Sequence, residues 1–268
     1  MLTATEFAAM KARQQAAWAS GEYAIVGNLL PLMAELLCEA VDVHSGWKVL
    51  DVAAGNGNAS LAAARRGCRV TSTDYVPAML EGGRKRAAAE GLKIEFQEAD
   101  AEDLPFLDES FDAVISCIGV QYAPNQERAA AEMLRVCKKG GKIGLANWTP
   151  GGFVGQIFKT IGKYVPPAVA IKPASGWGTA FRLHELFRTA ETIETNQRFF
   201  VFRSHSTERW LEVLSVHYGP LLRAMGALDE TERVAALAEL LDLANGSNQT
   251  EDGTMVIPSE YLEAVITK

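Results

Sequence analysis

Between Trp47 and Asn147, short apolar runs alternate with helical patterns. The runs are Lys48 to Val52, Arg69 to Thr73, Lys93 to Gln97, Phe111 to Ser116 and Lys142 to Ala146. Strands alternating with helices imply right-handed crossovers and a parallel sheet covered on both faces. In the last intervening helix Ala130, Met133, Leu134 and Cys137 share one face, and Gly140-Gly141 predicts its end. Upstream, residues 4 to 19 read as an alanine-rich helix closed by Ser20-Gly21. Within 26 to 43, Val26, Leu29, Leu30, Met33, Leu36, Leu37, Ala40 and Val41 recur at helical spacing and predict one buried face. Pro31 marks where the regular part of that helix starts.

Beyond Trp148 the rhythm breaks. Pro150-Gly151-Gly152 and Pro166-Pro167 punctuate loops and short helices as far as about residue 190. A strand is expected over 195 to 202 and helices over 206 to 217 and 229 to 244. The second of these helices opens on Asp229 with Glu232 three residues on, a capping-box pattern. Tyr261 to Thr267 reads as a last strand returning to the same sheet. The expected fold class is α/β: a mostly parallel sheet of seven strands with a helical lid inserted late in the chain. One domain is expected over 1–268. Its parts are N-terminal helices and flap (1–45), a core (46–148), a lid with one sheet strand (149–250) and a terminal strand (251–268).

Composition narrows the function. The 268 residues carry 26 basic and 33 acidic side chains, a net charge of −7. No cationic surplus exists to displace counterions from nucleic acid. With 48% hydrophobic and 22% charged residues, the chain is neither disordered nor a membrane protein, and no stretch nears the roughly 20 apolar residues of a bilayer span. Met1 to Met10 shows no secretory pattern. Cys38, Cys68, Cys117 and Cys137 are scattered without a CxxC pair, as in reduced thiols of a cytoplasmic protein with no metal centre.

The chemistry concentrates in Val49-Leu50-Asp51-Val52-Ala53-Ala54-Gly55-Asn56-Gly57, where an apolar strand enters a turn of small residues and then a helix. Small residues let a ligand approach the backbone, and ligands of open parallel sheets gather outside the strands' carboxyl ends. A tight turn with no ligand is the plain alternative. Against it, Asp74 follows the second strand, and Asp100 with Glu102 follows the third. In a parallel sheet these acids fall along one rim. An acid ending the second strand can accept from ribose hydroxyls, and Asp100 or Glu102 could reach an adenine amino group. Charge then chooses the nucleoside. A pyrophosphate facing Asp51 is repelled by roughly 4 kcal/mol at about 4 Å and an effective dielectric near 20. The dinucleotide fingerprint G-x-G-x-x-G/A is also incomplete, with Ser60 in its third place. A nucleoside bearing an ammonium and a sulfonium has the opposite preference.

These residues resemble the class I S-adenosylmethionine-dependent methyltransferases, and the resemblance extends over most of the chain. Val49-Leu50-Asp51-x-Ala53-Ala54-Gly55-x-Gly57 is similar to their first motif and Thr73-Asp74 to the acidic second. The stretches from Glu98 to Phe106 and from Ser110 to Val114 look like the third and fourth, and Leu134-Arg135-Val136 with Lys138, Gly140 and Gly141 like the approach to strand five. Small-molecule enzymes of the ubiquinone/menaquinone-biosynthesis type are the most similar subgroup. Ala53 stands where glycine is usual, Lys139 where proline is common, and Gln121-Tyr122 where a His pair is frequent.

The resemblance implies a Rossmann-like doubly wound fold, S-adenosyl-L-methionine as cofactor and a small, partly apolar methyl acceptor. Asp51 would order the turn and attract the ligand's ammonium. Ala53, Ala54 and Gly55 would present backbone, and Asp74 would hold the ribose. Tyr75 and Met79 would flank adenine, bordered by Asp100, Ala101 and Glu102. The Cys117 backbone would accept from the ammonium. Trp18 to Tyr23 resembles the family's flap, in which Tyr23 could donate to the carboxylate; core packing is the alternative for Trp18 and Tyr23. Methyl transfer needs alignment and water exclusion, and a base only where the acceptor must lose a proton. His217, Tyr218, Gln121 and Tyr122 are candidates, and none is singled out as catalytic. Phe153, Trp177, Phe181, Trp210 and Tyr218 are expected to divide between an acceptor pocket and core. An NAD(P)-dependent oxidoreductase and a non-catalytic binder of S-adenosylmethionine or S-adenosylhomocysteine are the competing readings. GxSxG, HExxH and P-loop motifs are absent from the sequence.

Overall fold

A computed structural model describes residues 4–166 and 171–268. Strands β1 (Lys48–Val52), β2 (Arg69–Asp74), β3 (Ile94–Glu98), β4 (Phe111–Cys117), β5 (Cys137–Trp148), β6 (Thr192–Ser204) and β7 (Met255–Thr267) form one sheet in the order β3-β2-β1-β4-β5-β7-β6. The first five strands pair in parallel, and β7 runs antiparallel between β5 and β6. The doubly wound, mostly parallel seven-stranded sheet is therefore present.

Helices cover both faces. On one, α3 (Pro31–Val41) and α4 (Asn58–Arg65) bury Met33, Leu37, Val41 and Ala62 against Val49, Val70 and Ile115. On the other, α6 (Gln126–Val136) and α8 (Ala180–Leu186) cover Leu50, Val114 and Ile143 with Met133 and Leu183, joined by Trp177 from the 3-10 turn Ala174–Gly178. Three other helices, α1 (Ala4–Ala19), α2 (Tyr23–Gly27) and α5 (Pro77–Ala89), border the carboxyl ends of β1 and β2. The late helices α7 (Phe153–Tyr164), α9 (Thr207–His217), α10 (Gly219–Gly226) and α11 (Glu230–Ser247) gather around Phe153, Trp210, Leu221, Leu240 and Ile257. The expected capping box opens α11, with Asp229 accepting from the Glu232 amide. No helix of the described residues is long and apolar enough to cross a membrane. Of the Pro166-Pro167 pair, Pro167 lies outside the described residues.

Several local expectations change. Pro31, at the first turn of α3, separates α2 from α3, so the apolar residues of 26 to 43 do not share one face. Leu30, Met33, Leu37 and Val41 are buried, whereas Leu29 and Leu36 stay exposed. Cys137 is not on the α6 face. The helix ends at Val136, and Cys137 begins β5 opposite Phe111. Gly140, at φ 69°, serves the irregularity between the Phe111–Cys137 and Ala113–Lys142 pairings, where its amide donates to the Lys268 carbonyl. Those glycines turn a strand and do not end a helix.

The end of α1 and the α9–α10 junction meet through glycine. A Cβ on Gly21 would stand 2.2 Å from the His217 carbonyl oxygen, and one on Gly219 would stand 2.1 Å from that of Ala17. The end of α1 is thus seated directly on the α9–α10 junction, backbone to backbone. Gly219→Ala should force these segments apart and cost about 1–3 kcal/mol, as overpacking does. Urea unfolding checks this, and an unchanged midpoint would show that α1 is not seated there.

Candidate active site

The carboxyl ends of β1, β2 and β4 open on a cavity of about 930 Å³, its open mouth included. Its floor is the β1–α4 turn. Asp51, next to last in β1, is 1% exposed, and its Oδ2 accepts from Ser60 Oγ at 2.6 Å. The other oxygen, Oδ1, is buried without a partner. Burial pushes the Asp51 carboxyl up to about 7 against the opposing effect of Ser60. Ser60, which breaks the dinucleotide fingerprint, is therefore the residue that fixes this carboxylate.

Asp74, at the end of β2, accepts from the Gly55 amide at 2.9 Å and from the Val76 amide at 2.9 Å. One side chain thereby ties the glycine turn to the start of α5. Burial raises Asp74 to about 6, and those amide bonds hold it from rising further. Gly55 needs its left-handed φ of 57°, and a Cβ there would lie 3.0 Å from the Tyr23 ring and 3.9 Å from Met79 Sδ. Tyr23 and Met79 thus meet over the bare backbone of the turn.

Ala53 departs from the glycine expected at its place, and its φ of 53° shows why glycine suits it. A left-handed alanine costs roughly 1–2 kcal/mol. The opposite loop makes room for it: a Cβ on Gly119 would come 1.9 Å from the Ala53 carbonyl oxygen. Ile118, beside Gly119, sits at φ 72° and ψ −36°, close to the rare γ-turn region that a β-branched residue seldom enters. Backbone strain of this kind gathers at ligand sites, and both strained residues line the cavity.

Helix α1 roofs the cavity. Lys11 pairs with Asp100 at 2.5 Å and with Glu102 at 2.5 Å. Burial opposes its charge, but the two carboxylates outweigh burial and raise its pKa. Gln15 donates to the Tyr75 carbonyl and Gln14 to that of Tyr122 at 2.7 Å. Of the residues expected at the site, Tyr23, Asp51, Ala53, Ala54, Gly55, Asp74, Tyr75, Met79, Asp100, Ala101 and Cys117 line the cavity. Glu102 is not on its wall. It is 6% exposed, and its Oε1 accepts from the Asn125 amide at 2.7 Å, which anchors the loop after β3 to α6.

Other expectations sort as follows. Trp18 lies on the cavity wall and is not core alone. Gln121 is fully buried, and its Oε1 accepts from the Trp148 amide, a brace between β4 and β5. Phe153, Trp177 and Trp210 are core, and Phe181 is 75% exposed, so none of these four forms an acceptor pocket. Lys11, Ile118 and Gly119 gave no signal in the sequence. Their roles depend on partners distant along the chain, such as the Lys11–Asp100 pair separated by 89 positions.

The doubly wound, Rossmann-like sheet places its acid-lined crevice at the switch between β1 and β4, where open α/β sheets take their ligands. Residues 49–141 match the methyltransferase domain family. A Mycobacterium tuberculosis protein described as uncharacterized is 36% identical over 258 residues, spanning 94% of this chain and 93% of that one. The demethylmenaquinone methyltransferase of Clavibacter sepedonicus is 38% identical over 144 residues, 53% of this chain and 58% of the other. Among solved structures, the YcgJ protein of Bacillus subtilis superposes with a TM-score of 0.59 at 17% identity, covering 90% of this chain and 99% of its own, a likeness of fold. The chain belongs to the class I S-adenosylmethionine-dependent methyltransferases, with a core similar to the quinone-biosynthesis enzymes.

The raised carboxyls predict a pH dependence. Between about pH 4 and 7 the native protein keeps protons on Asp51 and Asp74 that the unfolded chain has released. It therefore binds more protons, and its stability falls as pH rises through that window. Asp51→Asn should shallow the fall, improving stability relative to the parent by roughly 1–3 kcal/mol between pH 5 and pH 8. Urea titrations at the two pH values test this, and parallel curves would mean that Asp51 is ionised throughout.

Proposed function

We propose that the cavity binds S-adenosyl-L-methionine and that the protein transfers its methyl group to a small, partly apolar acceptor. The observation that carries the reading is the unpartnered, buried Asp51 Oδ1 in a cavity whose charged wall residues are Asp51, Asp74, Asp100 and a Lys11 already paired to carboxylates. A buried acceptor oxygen without a donor is costly unless a ligand supplies one. An ammonium does so, and a pyrophosphate does not. The same charge argument disfavours an NAD(P)-dependent oxidoreductase.

In this reading Asp51 takes the ammonium, with the Cys117 backbone as a second acceptor, and Tyr23 donates to the carboxylate. Ala53, Ala54 and Gly55 lie along the methionine part. Asp74 spends one lone pair on each amide it holds, so each oxygen retains capacity for a ribose hydroxyl. Tyr75 and Met79 flank the base, which Asp100 and Ala101 border, while Glu102 acts one step back through Lys11. When bound, the group supplies a methyl on a positively charged sulfur. The chain supplies alignment, and α1 excludes water. A net charge of −7 favours a small molecule over nucleic acid, and the free cysteines suit a reducing, cytoplasmic setting.

Calorimetry tests the reading. S-adenosylhomocysteine should bind and NAD(P) should not, with affinity rising between pH 5 and 8 as Asp74 and Asp51 ionise toward the cation. Asp74→Ala should weaken binding by about 1–3 kcal/mol, the cost of a lost charged acceptor. Binding of NAD(P) in preference to S-adenosylhomocysteine would refute the proposal.

A further inference from the structure

One edge of the sheet is long and unguarded. Strand β6 lies outermost, and all 13 of its residues stay in register with β7. Its other edge pairs with no strand of the described residues, so alternate residues turn an amide and a carbonyl outward. Exposed edges are ordinarily blunted by lysine, proline or a bulge, which keeps other chains from adding to the sheet. Thr192 to Ser204 contains no lysine, proline or glycine, and no bulge interrupts its pairing.

The first half of this strand stands clear on both faces. Glu194, Asn196 and Arg198 are exposed on one face, and Gln197 and Phe199 on the other, with Phe199 at 59%. Farther along, Phe202 packs against the late helices. Arg198 reaches Glu263 of β7 at 3.1 Å, yet its side chain remains 49% exposed. Glu194 has no ion-pair partner among the described residues.

The order of residues along the edge is complementary to itself. Consider two copies of β6 related by a two-fold axis that passes through Asn196 perpendicular to the sheet. They run antiparallel, with Glu194 opposite Arg198 of the other copy, Ile193 opposite Phe199, and Thr195 opposite Gln197, each pair occurring twice. Opposite charges, and a β-branched residue against an aromatic one, are favourable cross-strand pairs. Other registers lose this match: an axis at Gln197 sets Glu194 against Phe200, and an axis at Arg198 sets two guanidiniums against each other.

We infer that β6 is the surface on which a second copy of this chain docks, by antiparallel strand addition centred on Asn196, so that one continuous sheet crosses both protomers. In the dimer Arg198 has a carboxylate on each side, Glu263 of its own chain and Glu194 of the other. Strands β5 and β7 separate this edge from β4, so the crevice between β1 and β4 lies away from the interface. The interface does not depend on how that crevice is read.

Sedimentation velocity over a concentration series tests the inference, and the protein should show a monomer–dimer equilibrium. Glu194→Arg and Arg198→Glu should each weaken the dimer by about tenfold or more, because two attractive pairs become repulsive. An equimolar mixture of the two variants should regain the dimer, since opposite charges then face each other across the edge. A cysteine pair reads the register independently of charge. Asn196→Cys should form an intermolecular disulfide under mild oxidation, since residues directly opposite in an antiparallel pair lie within disulfide reach, and Phe199→Cys should not. A protein that stays monomeric throughout overturns the proposal, as do charge variants that dimerise like the parent. It is equally overturned by a mixture that stays monomeric, or by cross-linking at position 199 in place of 196.

Discussion

Two carboxylates desolvated at the foot of one crevice set the terms for this molecule. Asp51 and Asp74 stand almost fully buried at the ends of neighbouring strands, where charge is costly. Each is held by short local bonds, Ser60 on Asp51 and the Gly55 and Val76 amides on Asp74. Those bonds do not fully compensate either group, and both pKa values lie far above those of free carboxyls. A turn organised around partly compensated acids couples local stability to the protons those acids hold.

Strain surrounds the same point. Ala53 and Ile118 occupy backbone regions that their side chains disfavour, on loops that touch through Gly119. Packing of β1 on β2 and β4 on β5 over-determines both loops, since the Ala54 amide bonds to the Thr73 carbonyl and the Ile118 amide to that of Ala146. The sheet thereby keeps the two loops close enough to form a narrow slot while leaving backbone exposed to its contents.

The cavity divides by chemistry. Toward β3 the wall is acidic and closed by Lys11, and toward β4 it is aromatic with hydroxyl groups. The proposed methyl transfer would use this asymmetry, with a charged donor on the carboxylate side and a less polar acceptor on the other. Helix α1 serves both sides, with Lys11 and Trp18 seven residues apart on the same helix.

Local pattern determined most of the sheet. Short apolar runs alternating with helical patterns placed β1 to β5, and the acids at the ends of β1 and β2 and after β3 had to share a rim once those strands were parallel. Only Glu102 left the wall, because the Asn125 amide from α6 competes for its side chain. The helix ends were less determinate: Cys137 left its predicted face because pairing with Phe111 outweighs one more helical residue. What the sequence could not disclose was any partner far along the chain. Lys11 meeting Asp100, Gly119 meeting Ala53 and Tyr122 meeting Tyr218 all depend on how finished elements dock. Strand and helix periods report which face of an element is buried. The identity of what lies against that face is decided by tertiary packing, through contacts that leave no periodic trace in the chain.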